Sequence, residues 1–288
     1  MSGFTRRQFL AGAGAAGAAI LTGPLGLAQD TAGTGIQGSD VVTLGKSGIE
    51  TSILGIGTGT HGGREQRELG TEGFTKLVRH ALDSGIRYID TADNYRMHVF
   101  VQIALQGVSR DKYFIQTKTP AKSAEVAKND IERYRRELGV SSLDTLLVHC
   151  MKTKGWDADM RPVMDVLYEA KEKERVRAVG VSCHGMDPLL TSTDCDWVDV
   201  HLVRVNPFGT KMDGQPDKVV AEVKKMHDRG RGVLGMKIFG ETGFDSPEKR
   251  FESLKYVLGL GCVDAFTIGF TSTEQIDETM EMIAKATA

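Results

Sequence analysis

Eight short apolar, largely β-branched runs recur along this chain, each followed by a longer amphipathic stretch, and that rhythm limits what it can fold into. The runs are Ile53–Gly57, Tyr88–Asp90, Phe114–Thr117, Leu143–His149, Ala178–Val181, Trp197–Val203, Gly232–Met236 and Ala265–Ile268. Helical patterns between and after them cover Thr71–Ser84, Val99–Gln106, Ser123–Leu138, Met160–Lys173, Pro188–Ser192, Asp217–Arg229, Pro247–Leu258 and Thr273–Lys285. Several boundaries carry their own signals. Gly85 stands just past a helix end, Ser246 precedes a proline at the first helical position, and Ser272 is placed to cap the last helix. Apolar strands alternating with amphipathic helices imply a parallel sheet covered on its outside. Eight such units close the sheet into a (β/α)8 TIM barrel of the α/β class. The rival is an open doubly wound sheet, which should carry G-x-G-x-x-G after its first strand and start a helix there. The segment Gly55-Ile56-Gly57-Thr58-Gly59-Thr60 is glycine-rich but opens no helix at once, so the closed barrel is the expectation.

The first stretch stands apart from this rhythm. Thr5-Arg6-Arg7-Gln8-Phe9-Leu10 is a twin-arginine pattern, and an uncharged run rich in Ala, Gly and Leu extends from it to Leu27. Gly26-Leu27-Ala28 is small at both positions a signal peptidase reads. A basic start, an apolar middle and a small-residue end describe a signal peptide, here of the Tat type that carries folded proteins. The rival reading is a membrane anchor, but the run falls short of the ~20 residues a span needs. The expected organisation is a signal over 1–28, a linker over 29–40 and a barrel over 41–288, exported to the periplasm or secreted, with no stable membrane insertion after cleavage. The chain beyond the signal is close to the ~250 residues of one α/β barrel. The net charge of −2, from 36 basic and 38 acidic residues mixed along the chain, leaves no basic stripe for nucleic acid. Four cysteines in 288 residues are too few for a disulfide framework, so Cys150, Cys183, Cys195 and Cys262 are expected free.

In a barrel, chemistry sits at the C-terminal ends of the strands. The second run ends in Asp90 and leads through Thr91-Ala92-Asp93-Asn94 to Tyr95. The third ends at Gln116-Thr117-Lys118, and the fourth at Leu147-Val148-His149. An acid, a phenol, an ammonium and an imidazole thus converge from three successive strands, and burial alone would put no polar group there. Isolated ions in such a place are costly, so Asp90 and Lys118 are expected to pair. Free tyrosine titrates near ~10, and a neighbouring ammonium is expected to lower that value towards working pH. His149 is placed to donate to a carbonyl oxygen as it gains charge.

These motifs resemble the signatures of the aldo-keto reductase superfamily. Asp90-Thr-Ala-Asp-Asn-Tyr95, Gln116-Thr-Lys118 and Leu147-Val-His149 occur in the family's order, as do Leu44-Gly-Lys-Ser-Gly-Ile49, Leu54-Gly-Ile-Gly-Thr58 and Ala178-Val-Gly-Val-Ser182. The resemblance runs from about Val41 to the C-terminus and implies a catalytic tetrad of Asp90, Tyr95, Lys118 and His149. It implies a nicotinamide cofactor across the top of the barrel, touched by Thr58 and Ser182. At the seventh strand, where relatives often carry an aromatic and then a serine, this chain has Met236 and Lys237, and at the sixth Leu202 stands where a glutamine is common. The adenosine end is implied to meet Ser272, Gln275 and Glu278. No basic residue lies between Lys255 and Lys285, which leans the cofactor from NADPH towards NADH. The implied reaction interconverts a small aldehyde or ketone and its alcohol. The alternative is a nicotinamide-binding regulatory or auxiliary barrel with little turnover. Residues 151–159 and 207–215 are the expected pocket walls.

Taken singly, each of these residues has a structural reading: a capping acid, a rim tyrosine, a satisfied histidine. His149-Cys150 and Cys183-His184 suggest a zinc or copper site. Strand alternation would not aim both members of each pair at one point, so no metal is expected. His201 reads as a packed residue. The opposite charges of Glu132 with Arg136 and Arg133 with Glu137 read as a solvated helix face.

Overall fold

The computed structural model describes residues 35–288; the expected signal peptide and the first part of the linker lie outside the described residues. The chain begins with a hairpin, β1 (Val41–Thr43) and β2 (Glu50–Ser52), and continues into β3 (Leu54–Gly57). It proceeds through α1 (Arg64–Glu68), α2 (Gly70–Asp83), β4 (Tyr88–Asp90), α3 (His98–Ala104), β5 (Phe114–Thr119), α4 (Ala124–Leu138) and β6 (Leu143–Met151). The second half comprises α5 (Trp156–Asp159), α6 (Arg161–Glu172), β7 (Val176–Cys183), α7 (Met186–Asp194), β8 (Val200–Arg204), α8 (Pro216–Asp228), β9 (Gly232–Met236), α9 (Pro247–Gly259), β10 (Ala265–Ile268) and α10 (Thr273–Thr287). Strands β3 to β10 pair in parallel, each with its neighbour in sequence, and β10 closes back on β3. This is the (β/α)8 TIM barrel that the eight-fold rhythm implies.

The hairpin is what the periodicity did not reveal, because each of its strands has only three residues. It acts as a plug. Leu44 and Ile49 at its tip are buried with Tyr88, Phe114, Val200 and Ala265, which line the N-terminal end of the barrel interior. The Lys46 amide donates to the Gly230 carbonyl at 2.7 Å, pinning the tip below β9. The segment expected as linker is already packed by residue 38, whose carbonyl accepts from the Leu54 amide at 2.8 Å.

Strand alternation sorts every strand into an inner and an outer face. Tyr88, Phe114, Leu147, Ala178 and Leu202 face the interior, while Ile89, Ile115, Leu146, Val179 and Val203 pack against the helices. Gly55 is required by this packing, since a Cβ there would lie 2.3 Å from the Tyr88 ring. The same period of two carries Asp90, Lys118, His149 and Ser182 to the inner face. Three strands run further than their apolar pattern: β5 reaches Thr119, β6 Met151 and β7 Cys183. Their last residues are polar or follow polar ones, so a hydrophobic reading stops early, while paired polar groups let the ladder continue. The expected caps hold: Ser246 Oγ accepts from the Lys249 amide and Ser272 Oγ from the Gln275 amide.

Candidate active site

A cavity of about 240 Å³ opens at the C-terminal end of the barrel, and Asp90, Tyr95, Lys118 and His149 all line it. Lys118 Nζ donates to Asp90 Oδ1 at 2.7 Å and to the Thr91 carbonyl at 2.8 Å, as the expected pair requires. Gln116 Nε2 donates to the same Asp90 oxygen and to Tyr88 Oη, both at 2.8 Å, and Thr145 Oγ1 donates to Gln116 Oε1 at 3.1 Å. The ion pair therefore stands on a column of satisfied polar groups inside the barrel, which a buried charge needs. Tyr95 reaches the cavity from the short turn Asp93–Tyr95 after β4. Its ring lies edge-on to His149, with centroids 5.7 Å apart, and Lys118 Nζ stands 4.9 Å from its centroid. Gly59 makes room for it: a Cβ there would fall 2.6 Å from the ring.

The electrostatics correct one expectation. Lys118 does not bring the Tyr95 phenol down. Burial, followed by the negative charge of Asp90, pushes it well above its ordinary value. The ammonium's charge is offset by Asp90, and burial itself pulls the Lys118 value down. Tyr95 thus rests as a neutral phenol, a proton donor by default. His149 is pulled down to about 3, first by burial and then by Lys118, so its imidazole is neutral at working pH. Its Nδ1 is buried without a partner.

A second network, behind β5, holds the turn that carries Tyr95. Arg133 on α4 donates to Asp93 Oδ1 at 2.7 Å, to Asp130 Oδ1 at 2.7 Å and to Glu137 Oε1 at 3.1 Å. His98 bridges Glu137 Oε2 and Thr117 Oγ1, at 2.8 Å each. The Arg133–Glu137 pair is present as expected but belongs to this network rather than to a plain solvated face. Glu132 pairs with Arg135 and Arg175 instead of Arg136. Nothing local in the sequence marks Arg133 as reaching Asp93, because that contact joins residues 40 apart. Asp93, His98 and Glu137 are spaced like metal ligands, but the Arg133 guanidinium bonds to both carboxylates. The Cys–His pairs do not converge on one site. His149 and His184 line the cavity, whereas Cys183 Sγ donates to the Pro188 carbonyl at 3.3 Å. His201 is packed as expected, fully buried with both ring nitrogens unpartnered.

The residues expected to hold a cofactor divide. Ser182, Met236 and Lys237 line the catalytic cavity, as does Leu202. Ser182 Oγ accepts from the Cys150 amide at 2.9 Å, and Lys237 is paired with Glu241 at 2.6 Å. Thr58 does not line the cavity. It is fully buried, and alternation gives the inner face to Gly57 and Gly59 on either side of it. Ser272 caps α10 through its hydroxyl and lines neither cavity. Glu278 is exposed on the same helix and lines neither cavity. Gln275 does line a second cavity of about 190 Å³, with its Oε1 accepting from the Thr271 amide at 2.9 Å. Residues 151–160 contribute to a side cavity that shares His149, whereas none of 207–215 lines the first or second cavity.

Beyond Lys237, sequence reasoning missed the loop after β9. Phe239 and Glu241 line both the first and second cavities, as does Ile268 after it, so the two cavities form one groove. Lys237 and Glu241 both adopt left-handed backbone, with φ of 59° and 67°. The available signal was the pair of glycines, Gly240 and Gly243, punctuating an aromatic stretch. An elongated ligand fits this groove. Thr267 Oγ1 is buried, unpartnered and on its wall, and Phe239 offers the aromatic surface that position 236 lacks. Lys237 lines the first cavity, paired with the shared Glu241, and Arg250 lines the second.

Comparison with known proteins agrees with this geometry. A solved chain from Pseudomonas aeruginosa superposes with a TM-score of 0.72, covering 88% of this chain and 97% of its own, at 22% identity. Aldo-keto reductase AKR11C1 from Bacillus halodurans superposes with a TM-score of 0.70 over 85% of this chain and 90% of its own, at 17% identity. These likenesses concern the fold. In sequence, Aldo-keto reductase YhdN of Bacillus subtilis is 25% identical over 170 residues, 53% of this chain and 49% of that protein. The 2,5-diketo-D-gluconic acid reductase B of a Corynebacterium species is 30% identical over 151 residues, 48% of this chain and 51% of that protein. The chain thus matches about half the length of these curated relatives. The profile of the Aldo/keto reductase family matches residues 53–243, from the first barrel strand through the loop after β9, and the chain belongs to that family.

Proposed function

We propose that this protein is an oxidoreductase that reduces an aldehyde or ketone to its alcohol, or runs the reverse, with NAD(P)H. The observation that carries this reading is the convergence of Tyr95, Lys118, Asp90 and His149 on one cavity continuous with an elongated groove. Met236, Ser182 and Phe239 line the cavity where they would hold a nicotinamide, which would supply the hydride. Every other part of the reaction belongs to the chain. Tyr95, neutral and enclosed, donates its proton to the carbonyl oxygen as that oxygen gains charge. Neutral His149 donates a hydrogen bond to the same oxygen and orients it. Lys118 stabilises the phenolate left behind, and Asp90 with Gln116 holds Lys118 in place.

The groove's far end supports NADH over NADPH. It is lined by Glu65, Glu241 and Asp245 against a single guanidinium, Arg250, whose Nε and Nη2 already donate to the Phe244 and Asp245 carbonyls. An additional phosphate there would meet more negative charge than positive. The twin arginines at 6 and 7 support export in folded form, and no helix among the described residues is long and apolar enough to cross a membrane. Substrate is a small carbonyl compound or alcohol, and the mixed surface charge offers nothing for nucleic acid.

The test is a titration of the purified protein with NADH and NADPH, followed by turnover of a carbonyl panel. Tyr95→Phe should lower turnover by roughly two to four orders of magnitude while NADH binding persists. Near-normal turnover in that variant sinks the mechanism. NADH binding without turnover on any carbonyl would instead favour the auxiliary-barrel alternative.

A further inference from the structure

We propose that the substrate of this site is a carbonyl compound that also bears an anionic group, seated in the side cavity between Lys122 and Lys152. The proposal rests on the reductase reading and adds the charge of the substrate to it. His149 lines both the catalytic cavity and the side cavity, so the two spaces adjoin at its ring, and the proposed substrate spans them with its carbonyl at Tyr95.

The walls of that space are mixed. Trp156 and Met160 supply apolar surface, and Lys122 and Lys152 supply two ammonium groups. Neither lysine lies within ion-pair distance of a carboxylate of the described residues, and Lys122 Nζ makes its polar contact with Met160 Sδ at 3.9 Å. Both side chains are exposed at the cavity rim, whereas the inward lysines Lys118 and Lys237 are each paired with an acid. Asp159 is the acid on this wall, and it forms no ion pair with either lysine. Two cations against one acid leave the cavity net positive.

The charges act on the groups facing the reaction. Lys122 helps pull the His149 value down, after burial, Lys118 and His184, and Lys152 does the same to His184, after burial and Arg204. An anion between the lysines is therefore favoured electrostatically beside the histidine that orients the carbonyl. An apolar wall with a cationic rim suits a ring or short chain ending in a carboxylate or phosphate. The groove that takes the dinucleotide leaves from the opposite side, along Phe239 and Glu241.

The test compares 4-carboxybenzaldehyde with methyl 4-formylbenzoate, which share ring and aldehyde and differ in charge. The wild-type protein should favour the acid in kcat/KM by about fivefold to tenfold at low salt, mainly through KM, and less at high salt. In Lys122→Ala/Lys152→Ala the acid-to-ester ratio should fall towards one. A ratio near one in the wild type, or one unchanged in the double variant, overturns the proposal and leaves the reductase reading standing. A second measurement needs no turnover: benzoate titrated into the NADH-saturated protein, read by quenching of tryptophan emission, since Trp156 lines the cavity. Saturable quenching that weakens at least several-fold in the double variant supports the anion site. Absent quenching, or equal affinity in both proteins, counts against it. If neither aldehyde turns over while the lysines still govern benzoate binding, the reductase reading fails and the anion site remains.

Discussion

Two regions meet at the same cavity and are built on different principles. The inner face of β4 to β7 presents Asp90, Lys118, His149 and Ser182 from paired strands, with a bulge just after His149 where Cys150 turns to positive φ, and with the ion pair held by Gln116, Thr145 and the Thr91 carbonyl. The loop after β9 presents Lys237, Phe239 and Glu241 from irregular backbone, two of them at positive φ, with one ion pair inside the loop. The first region is held in place by the buried hydrogen bonds around Asp90, Lys118 and Gln116. The second can rearrange at little cost, because the Lys237–Glu241 pair is partly exposed and such pairs contribute little. Rigid strands suit the step where position matters most, and a loop suits a ligand that must enter and leave.

Four measurements put that contrast at risk. The largest effect is expected for Lys118→Met, which leaves Asp90 buried without its cation. Removing one partner of a buried pair costs about 3–5 kcal/mol, so denaturant unfolding should show a loss of that order together with nearly abolished turnover. Normal stability in this variant would mean that the strand-borne site is not tightly organised.

Next is the pH dependence of stability. His149 and His201 are each held at about 3 in the fold, both first by burial. The unfolded chain takes up their protons near pH ~6.5. Stability is therefore complete above that pH and declines as pH falls from ~6.5 towards 3, by roughly 1 kcal/mol per pH unit for each histidine. Urea unfolding at pH 7.5 and 5 checks the sign. His201→Leu removes two unpartnered buried nitrogens and should flatten the slope; a slope unchanged in that variant would acquit His201.

Arg133→Leu should free the turn bearing Tyr95 from α4. Turnover should fall about tenfold, or ~1.4 kcal/mol in barrier, with KM little changed. An unaltered kcat would show that the turn is held without Arg133. The smallest effect belongs to the loop. Glu241→Gln releases Lys237 and removes an acid from the groove, so NADH affinity should rise by about twofold to fivefold, measured by titration of bound fluorescence. Weaker binding would mean that Glu241 is itself a useful contact.

How far the sequence foretold this site differs between the same two regions. Three of the four tetrad positions were legible from strand alternation, whereas Tyr95 sits in the turn after β4. Asp90, Lys118 and His149 share the parity of Tyr88, Phe114 and Leu147, so their facing inward needed no knowledge of the fold beyond the barrel. That parity also places Gly57 and Gly59 inward and Thr58 outward, with its hydroxyl buried and unpartnered. Ser272 has a local use, the cap of α10, that a reading by resemblance does not weigh. Phe239 and Glu241 carried no period at all, since loop backbone is set by contacts rather than by repeat.

Local chain chemistry thus determined the eight barrel strands, the main helices after them and their caps, because periodicity and capping act between residues a few positions apart. Closure decided the rest. Only when β10 pairs with β3 do the ends of eight strands form one cavity. Only the folded barrel buries Tyr95 beside Asp90, raising its phenol rather than lowering it, and brings Arg133 to Asp93. Desolvation and long-range pairing depend on what surrounds a group in space, and no stretch of sequence carries that by itself.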